Sequence, residues 1–241
     1  MEAGLYVALS GQLAMQRRLD TLAYNVANAS TPGFRAEEIK FETLLSKVST
    51  DTSFASTGDN YISRRAGAVE RTGNALDVAI DGDAWMAFQS PAGVVYTRDG
   101  RLTMTENGDL QTVSGHPVLD VGGAPILLDP AGGPPRIAHD GMITQNGVQL
   151  GAIGLFTIPE GTKLNRYENS GVIPEGPVQP AIEFNSVGIR QGYLERANVN
   201  PIVEITRLIT ISRAFESLTN SVDQTDATFR KAIDTLGEPT R

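Results

Sequence analysis

The chain has 241 residues, 40% apolar and 20% charged, enough to bury a core in one large domain or two small ones and too apolar for wholesale disorder. A formal charge of −8 argues against a nucleic-acid partner, whose phosphates favour a basic face. With no cysteine, a disulfide scaffold, a thiol nucleophile and a Cys-type zinc site are excluded.

The first thirteen residues are broken by Glu2, Gly4, Ser10, Gly11 and Gln12, so they do not resemble a secretory signal peptide, and no run is long and apolar enough to span a bilayer. A soluble chain that does not use Sec-type export is expected. Apolar residues then recur at 3-4 spacing: Leu5, Ala8, Met15, Leu19, Leu22 and Val26, with Gln12 the one polar intrusion and Leu9 and Leu13 a flanking stripe. This spacing predicts an amphipathic helix with an apolar seam. The stretch "NVANASTPGFRAEE" closes it, with Asn25 and Asn28 ahead of a Pro32-Gly33-Phe34 break. Pro32 pre-sets its own φ and disfavours helix at Thr31. These residues read as a joint that turns the chain outward, and the less regular, Ser- and Thr-rich stretch that follows reads as an extended connector over 31–66.

The middle, 67–197, reads as β. The dipeptides Asp81-Gly82, Asp99-Gly100, Asn107-Gly108, Asp140-Gly141 and Asn146-Gly147 separate short runs rich in β-formers, such as 76–80, 94–97, 101–105 and 152–158. Many short strands with close-set turns imply an antiparallel sandwich or barrel. Between 41 and 195 ten basic residues face 18 acidic ones, so the whole net charge sits there, while both ends are balanced. Like charge keeps such a module solvated and apart from its copies.

The last part, 198–241, carries the clearest signal. Asn200 is an N-cap candidate, Pro201 suits the first helical position and Glu204 suits the positive end of the helix dipole. Leu208, Ile211, Phe215, Leu218, Val222, Thr225, Phe229, Ala232 and Leu236 then follow strict 3-4 spacing, and Gly237 and Pro239 end the helix. A helix over 201–236 is about 54 Å long at 1.5 Å per residue. Ile202, Ile205 and Ile209 widen its apolar face. The expected fold is therefore α+β: the helices of 1–30 and 198–241 pair as an α-helical coiled coil, with a central antiparallel all-β domain, sandwich- or barrel-like, between them in sequence. Two readings of the seam stay open, a purely intramolecular coiled coil and a helical pair completed by other copies.

Candidate chemistry is sparse. His116 and His139 sit in turn-rich sequence without a ligand partner nearby, and Asp77, Asp81 and Asp83 fail the EF-hand spacing. Gly147, Gly151 and Gly154 do not form the dinucleotide fingerprint, no Ser occupies a G-x-S-x-G elbow, and the sequon at Asn28 lacks a secretory signal. A pair of acids for glycoside hydrolysis is a spatial matter that sequence leaves open. No catalytic residue, cofactor or metal is expected.

Three stretches carry a resemblance to a known family. "SGQLAMQRRLDTLAYNVANASTPGFR" resembles the N-terminal signature of bacterial flagellar rod and hook proteins. "TGNALDVAIDGDAWMAFQ" and "YTRDGRLTMTENGDLQTVSGHPVLD" are similar to their shared β domain. "GYLERANVNPIVEITRLITISRAFES" is similar to their C-terminal signature, matched at Asn198, Val199, Arg213, Phe215 and Glu216. Within the family, "LYVALSGQ" and "GFRAEEIKFE" look most like a proximal-rod member, with a distal-rod member as the alternative. The resemblance implies a structural subunit that leaves the cytoplasm through the flagellar type III export apparatus, without a cleaved signal peptide. It would join the periplasmic rod of the basal body, a hollow shaft that transmits torque and passes exported subunits. Its partners would be other copies of itself and other rod subunits: the proximal B and C proteins and the distal G protein. The implied assembly interface is the set of seam residues, with Asn25, Asn28, Pro32, Gly33 and Phe34 as the joint. A rod-associated envelope hydrolase and a secreted coiled-coil adaptor are the readings from other classes.

Overall fold

The computed structural model describes residues 2–40, 43–45, 53–55 and 59–237. Within them the chain forms two helices, α1 (Glu2–Ala27) and α2 (Pro201–Gly237), at its two ends, with short strands between. It divides into two units: 1–27 with 37–61 and 200–241, and 28–36 with 62–199.

The second unit is built of antiparallel ladders. Its largest sheet has six strands, in the order Leu164–Tyr167, Gly171–Pro174, Gly93–Thr97, Trp85–Ser90, Leu155–Thr157 and Gln179–Pro180. A three-stranded sheet joins Arg136–Ile137, Met142–Gln145 and Val148–Ala152, and three two-stranded ladders complete the unit. The hairpin 142–152 turns at Asn146-Gly147, where both residues have positive φ (49° and 81°), the geometry that Asn-Gly favours. At Asp99-Gly100 glycine serves a different purpose: a Cβ there would lie 1.6 Å from the Val78 carbonyl oxygen, so only glycine lets the two backbones approach. The main core gathers Val78, Ile80, Met86, Leu110, Ile143 and Leu155, all essentially inaccessible. A second cluster holds Trp85, Ile62, Ile158, Leu164 and Val172.

The first unit contains both helices and the paired strands Glu37–Lys40 with Asp59–Ile62 and Thr43–Leu45 with Ser53–Ala55. α1 packs against α2 and against the strands Glu37–Lys40 and Ser53–Ala55. Asn200 caps α2, its Oδ1 accepting from the N–H groups of Ile202 (3.1 Å) and Val203 (3.3 Å).

The α+β composition is compatible with these two helices and antiparallel strands, but the expected coiled coil is not formed. A coiled coil buries its repeating seam by fitting each apolar side chain into a hole on the facing helix. Here no α2 side chain among those described is buried, and in the α1 seam only Leu22 is. Two features account for this. α2 has 37 residues and α1 has 26, so part of the longer seam has no α1 opposite it. At mid-seam the contact is polar, with Gln12 Nε2 donating to Thr219 Oγ1 at 3.1 Å.

Candidate assembly interface

Within the helical unit, the structure brings the two seams together around Gly11, Gln12, Leu218 and Thr219. A Cβ on Gly11 would lie 3.5 Å from Leu218 Cδ2, ordinary van der Waals contact. Ala8, Met15, Leu19 and Val26 are half-buried, as are Leu208, Ile211, Phe215, Leu218 and Val222. The side chains of Leu5, Phe229 and Leu236 lie outside the described residues.

Among the described side chains, the most exposed large apolar ones of the helices lie off the seam. Leu9 and Leu13 of α1 are 49% and 55% exposed, and Ile202, Ile205 and Ile209 of α2 are 76%, 44% and 46% exposed. At about 100° per residue, the Ile202–Ile205–Ile209 stripe is centred roughly 130° around α2 from its seam, and Leu9–Leu13 roughly 120° around α1 from its own. Each helix therefore carries a second apolar face. The hydroxyls of Thr206 and Thr210 return to the carbonyls of Ile202 and Thr206 (2.8 and 2.9 Å), which removes their polarity from the surface near the stripe.

The joint residues fall in different units. Asn25 belongs to the helical unit, where its side chain grips the backbone of Glu37: Oδ1 accepts from the Glu37 N–H at 2.9 Å and Nδ2 donates to the Glu37 carbonyl at 2.8 Å. In this way Asn25 substitutes for a neighbouring strand. Asn28, Pro32, Gly33 and Phe34 belong to the β unit. There the Thr31 N–H donates to the Asn28 carbonyl (3.0 Å) and the Thr31 hydroxyl to Asn28 Oδ1 (3.2 Å), closing a turn after α1. Pro32 is half-buried. Gly33 has φ +67°, and a Cβ on it would lie 2.2 Å from the Asp99 amide nitrogen, so only glycine fits. Phe34 is fully buried, with the Arg166 guanidinium 4.7 Å over its ring.

Beside Phe34 sits a buried ionic cluster that sequence reasoning missed. Glu195, 1% exposed, receives Arg35 Nη2 at 2.8 Å, Arg98 Nε at 2.6 Å and the Gly67 N–H at 2.8 Å. Arg98 spends its remaining donors on the carbonyls of Ile80, Gly82 and Ala84. Both guanidinium carbons lie 5.9 Å from the Trp85 ring centroid. Burial, reinforced by the charge of Arg98 and opposed by those of Glu195 and Asp83, lowers the Arg35 pKa to about 10. The signal was in plain view, since Arg35, Arg98 and Glu195 lie in the quoted stretches ending "PGFR" and containing "YTRDG" and "YLERANV".

The candidate polar residues are engaged in structural contacts. Asp77 accepts from Asn74 Nδ2, Asp81 pairs with Arg190 at 2.8 Å, and Asp83 lies 3.7 Å from Arg64. His116 stacks on Phe88 with centroids 5.2 Å apart, its Nε2 3.2 Å from Glu168 Oε1, and the His139 ring covers Gly188. Among the described residues no group of three or more His, Asp or Glu is placed to hold a metal, and no helix is long and apolar enough to cross a membrane.

Comparison with known proteins covers both ends and the middle. Residues 5–35 match the family described as flagella basal body rod protein, 79–178 the flagellar hook protein FlgE/F/G D1 domain, and 190–235 the flagellar basal body rod FlgEFG protein C-terminal. The chain is 51% identical over 238 residues to the flagellar basal-body rod protein FlgF of Mesorhizobium japonicum, covering 98% of this chain and 99% of that one. It is 47% identical to FlgF of Rhizobium meliloti over the same shares. With the flagellar basal-body rod protein FlgG of Bacillus subtilis the identity is 27%, over 97% of this chain and 98% of that one.

Proposed function

Because the chain belongs to the FlgF family of flagellar basal-body rod proteins, we propose that it polymerises into the rod through the apolar faces of its two terminal helices. It is a structural subunit of the flagellar rod in the basal body, and it interacts with copies of itself and with other rod subunits. The distal-rod alternative has less support, since the FlgF relatives of Mesorhizobium japonicum and Rhizobium meliloti reach 51% and 47% identity and the FlgG relative of Bacillus subtilis 27%.

The observation that carries the interface is the exposure of Leu9, Leu13, Ile202, Ile205 and Ile209 on the two helices that hold the N- and C-terminal family matches. Paired apolar stripes of this kind on helices that already have a packed side fit contact with further subunits. A contact between different surfaces on successive copies need not close into a ring, and so builds an open helical stack. The half-buried seam residues, from Ala8 to Val26 and from Leu208 to Val222, hold α1 on α2 and so fix which faces point to the neighbours. The acidic charge of the middle part keeps subunits apart in solution until helix contacts outweigh repulsion.

In this reading the assembled subunits form the wall of a hollow proximal-rod shaft that transmits torque and passes exported proteins. Proximal B and C proteins and the distal G protein are the neighbours. The chain reaches the periplasm through the type III export apparatus. Its activity is mechanical, and no residue is assigned a catalytic role. The test is direct: an epitope-tagged chain that supports motility co-purifies with isolated basal bodies and is imaged in their rod. A tagged, functional chain recovered only outside basal bodies would overturn the reading.

A further inference from the structure

Three segments far apart in sequence are bonded to one another at one place in the β unit. In the first pair, the Gly33 N–H donates to the Glu195 carbonyl (2.8 Å), the Asn198 N–H to the Phe34 carbonyl (3.2 Å), and the Ala36 N–H to Asn198 Oδ1 (2.7 Å). Arg35 Nη2 reaches Glu195 Oε1 across the same gap. The third segment joins both. The Ser63 N–H donates to the Ala36 carbonyl (2.8 Å), Arg35 Nη1 to the Arg64 carbonyl (3.2 Å), Asn198 Nδ2 to the Arg65 carbonyl (2.8 Å), and the Gly67 N–H to Glu195 Oε1 (2.8 Å). Every one of these segments is a place where the chain leaves or enters the β unit: 36 to 37, 61 to 62 and 199 to 200.

We propose that Glu195 and Asn198 are positioning residues for assembly, the centre of a clasp that ties the chain exits together so that α1 and α2 find each other. α1 ends at Ala27, a few residues before the clasped Phe34, and α2 begins at Pro201, just after the clasped Asn198. Through the clasp the two helices are tethered by about ten residues; along the open chain they are separated by about 170. With the clasp open each exit becomes a longer tether, and the local concentration of one helix at the other falls roughly as the −3/2 power of tether length. The clasp differs from an ordinary stabilising network in what it holds. The β ladders are bonded to themselves, whereas among the described residues Asn198 bonds to backbone of the exits, at Ala36, Arg65 and Phe34. Glu195 likewise joins one side chain from the N-terminal exit, one backbone N–H from the middle exit, and Arg98 of the sheet unit. The use of the clasp in a rod rests on the reading above, but helix pairing is measurable in the isolated subunit, so the two can fail separately.

The experiment uses the full chain, which has no cysteine of its own. Gln12→Cys and Thr219→Cys replace the residues whose side chains meet at 3.1 Å across α1 and α2, and a short bis-maleimide reads their pairing in dilute subunit. Trp85, the single tryptophan and 1% exposed, reports whether the β unit is native. Adding Asn198→Ala, which removes the side-chain bonds to Ala36 and Arg65 and leaves the backbone ones, slows intramolecular cross-linking measurably while Trp85 emission stays native. An unchanged rate with native emission would overturn the proposal. If Asn198→Ala perturbs Trp85, Asn198→Asp serves instead: it keeps the acceptor for Ala36 and loses the donor to Arg65, and the same two outcomes decide.

Discussion

Glu195→Gln lowers the stability of the β unit by about 3–5 kcal/mol, the cost of removing one partner from a buried ionic network. Glutamine keeps the size of the side chain and an acceptor for the Gly67 N–H, so the loss isolates the charge. Arg35 and Arg98, each 2% exposed, are left as two guanidinium groups facing one another with no carboxylate between them. Solvent cannot compensate at that depth. The backbone carbonyls already bonded to Arg98 satisfy its donors but not its charge. Arg35 suffers more, because burial and Arg98 already depress its pKa to about 10 with the carboxylate present. Urea unfolding followed by Trp85 fluorescence measures the effect. Glu70→Gln is the matched control, because the Glu70–Arg196 pair, at 2.7 Å, is half exposed on both sides and hardly moves the midpoint. Equal midpoints for Glu195→Gln and the parent would show that the cluster contributes no net stability.

The second large effect falls on assembly and leaves folding alone. Ile205→Asp combined with Ile209→Asp places two carboxylates on the exposed stripe of α2, whose isoleucines are 44% and 46% exposed. The helix itself loses only the propensity difference, about 0.5 kcal/mol or less per site. Already about half covered, each isoleucine would contribute about 1 kcal/mol on burial in a rod contact, and each aspartate would instead have to be desolvated at a cost of several kcal/mol. The combined loss, of roughly 5 kcal/mol or more per contact, weakens that contact more than a thousandfold. Cells carrying the pair are expected to be non-motile, with the variant subunit stable, native by Trp85 fluorescence and absent from basal bodies. Ile182→Asp, at an 85% exposed site in the β unit, is the control that leaves motility intact. Swimming by the double variant would remove the stripe from the interface.

Much of the architecture was readable from local chemistry. Asn200 and Pro201 mark the start of α2 because a capping oxygen and a fixed φ are properties of single residues, and the structure shows that cap in place. Asn146-Gly147 marks a hairpin because two adjacent positive φ values are easiest for those residues. The coiled coil was over-read for an equally physical reason. A 3-4 repeat reveals an apolar stripe but not what lies opposite it. Here α2 outruns α1, and Gln12 and Thr219 put a hydrogen bond where a knob should be. The stripes at Leu9–Leu13 and Ile202–Ile209 were visible beside the seams, yet spacing alone ranks a longer stripe above a shorter one, whereas exposure separates them. The Arg35–Glu195–Arg98 cluster left no periodic trace. Charged residues normally stay in water, and only the fold brings together partners 97 residues apart, such as Arg98 and Glu195.

The most direct test of the central claim is the reactivity of one introduced thiol, Ile205→Cys, in two states of the same protein. In the dilute subunit, where this position is 44% exposed, a maleimide reagent should label it freely. In basal bodies isolated from motile cells carrying the same variant, neighbouring subunits should slow labelling at least tenfold. Equal labelling in the subunit and in the rod would show that this face of α2 is not covered by assembly, and would contradict the account.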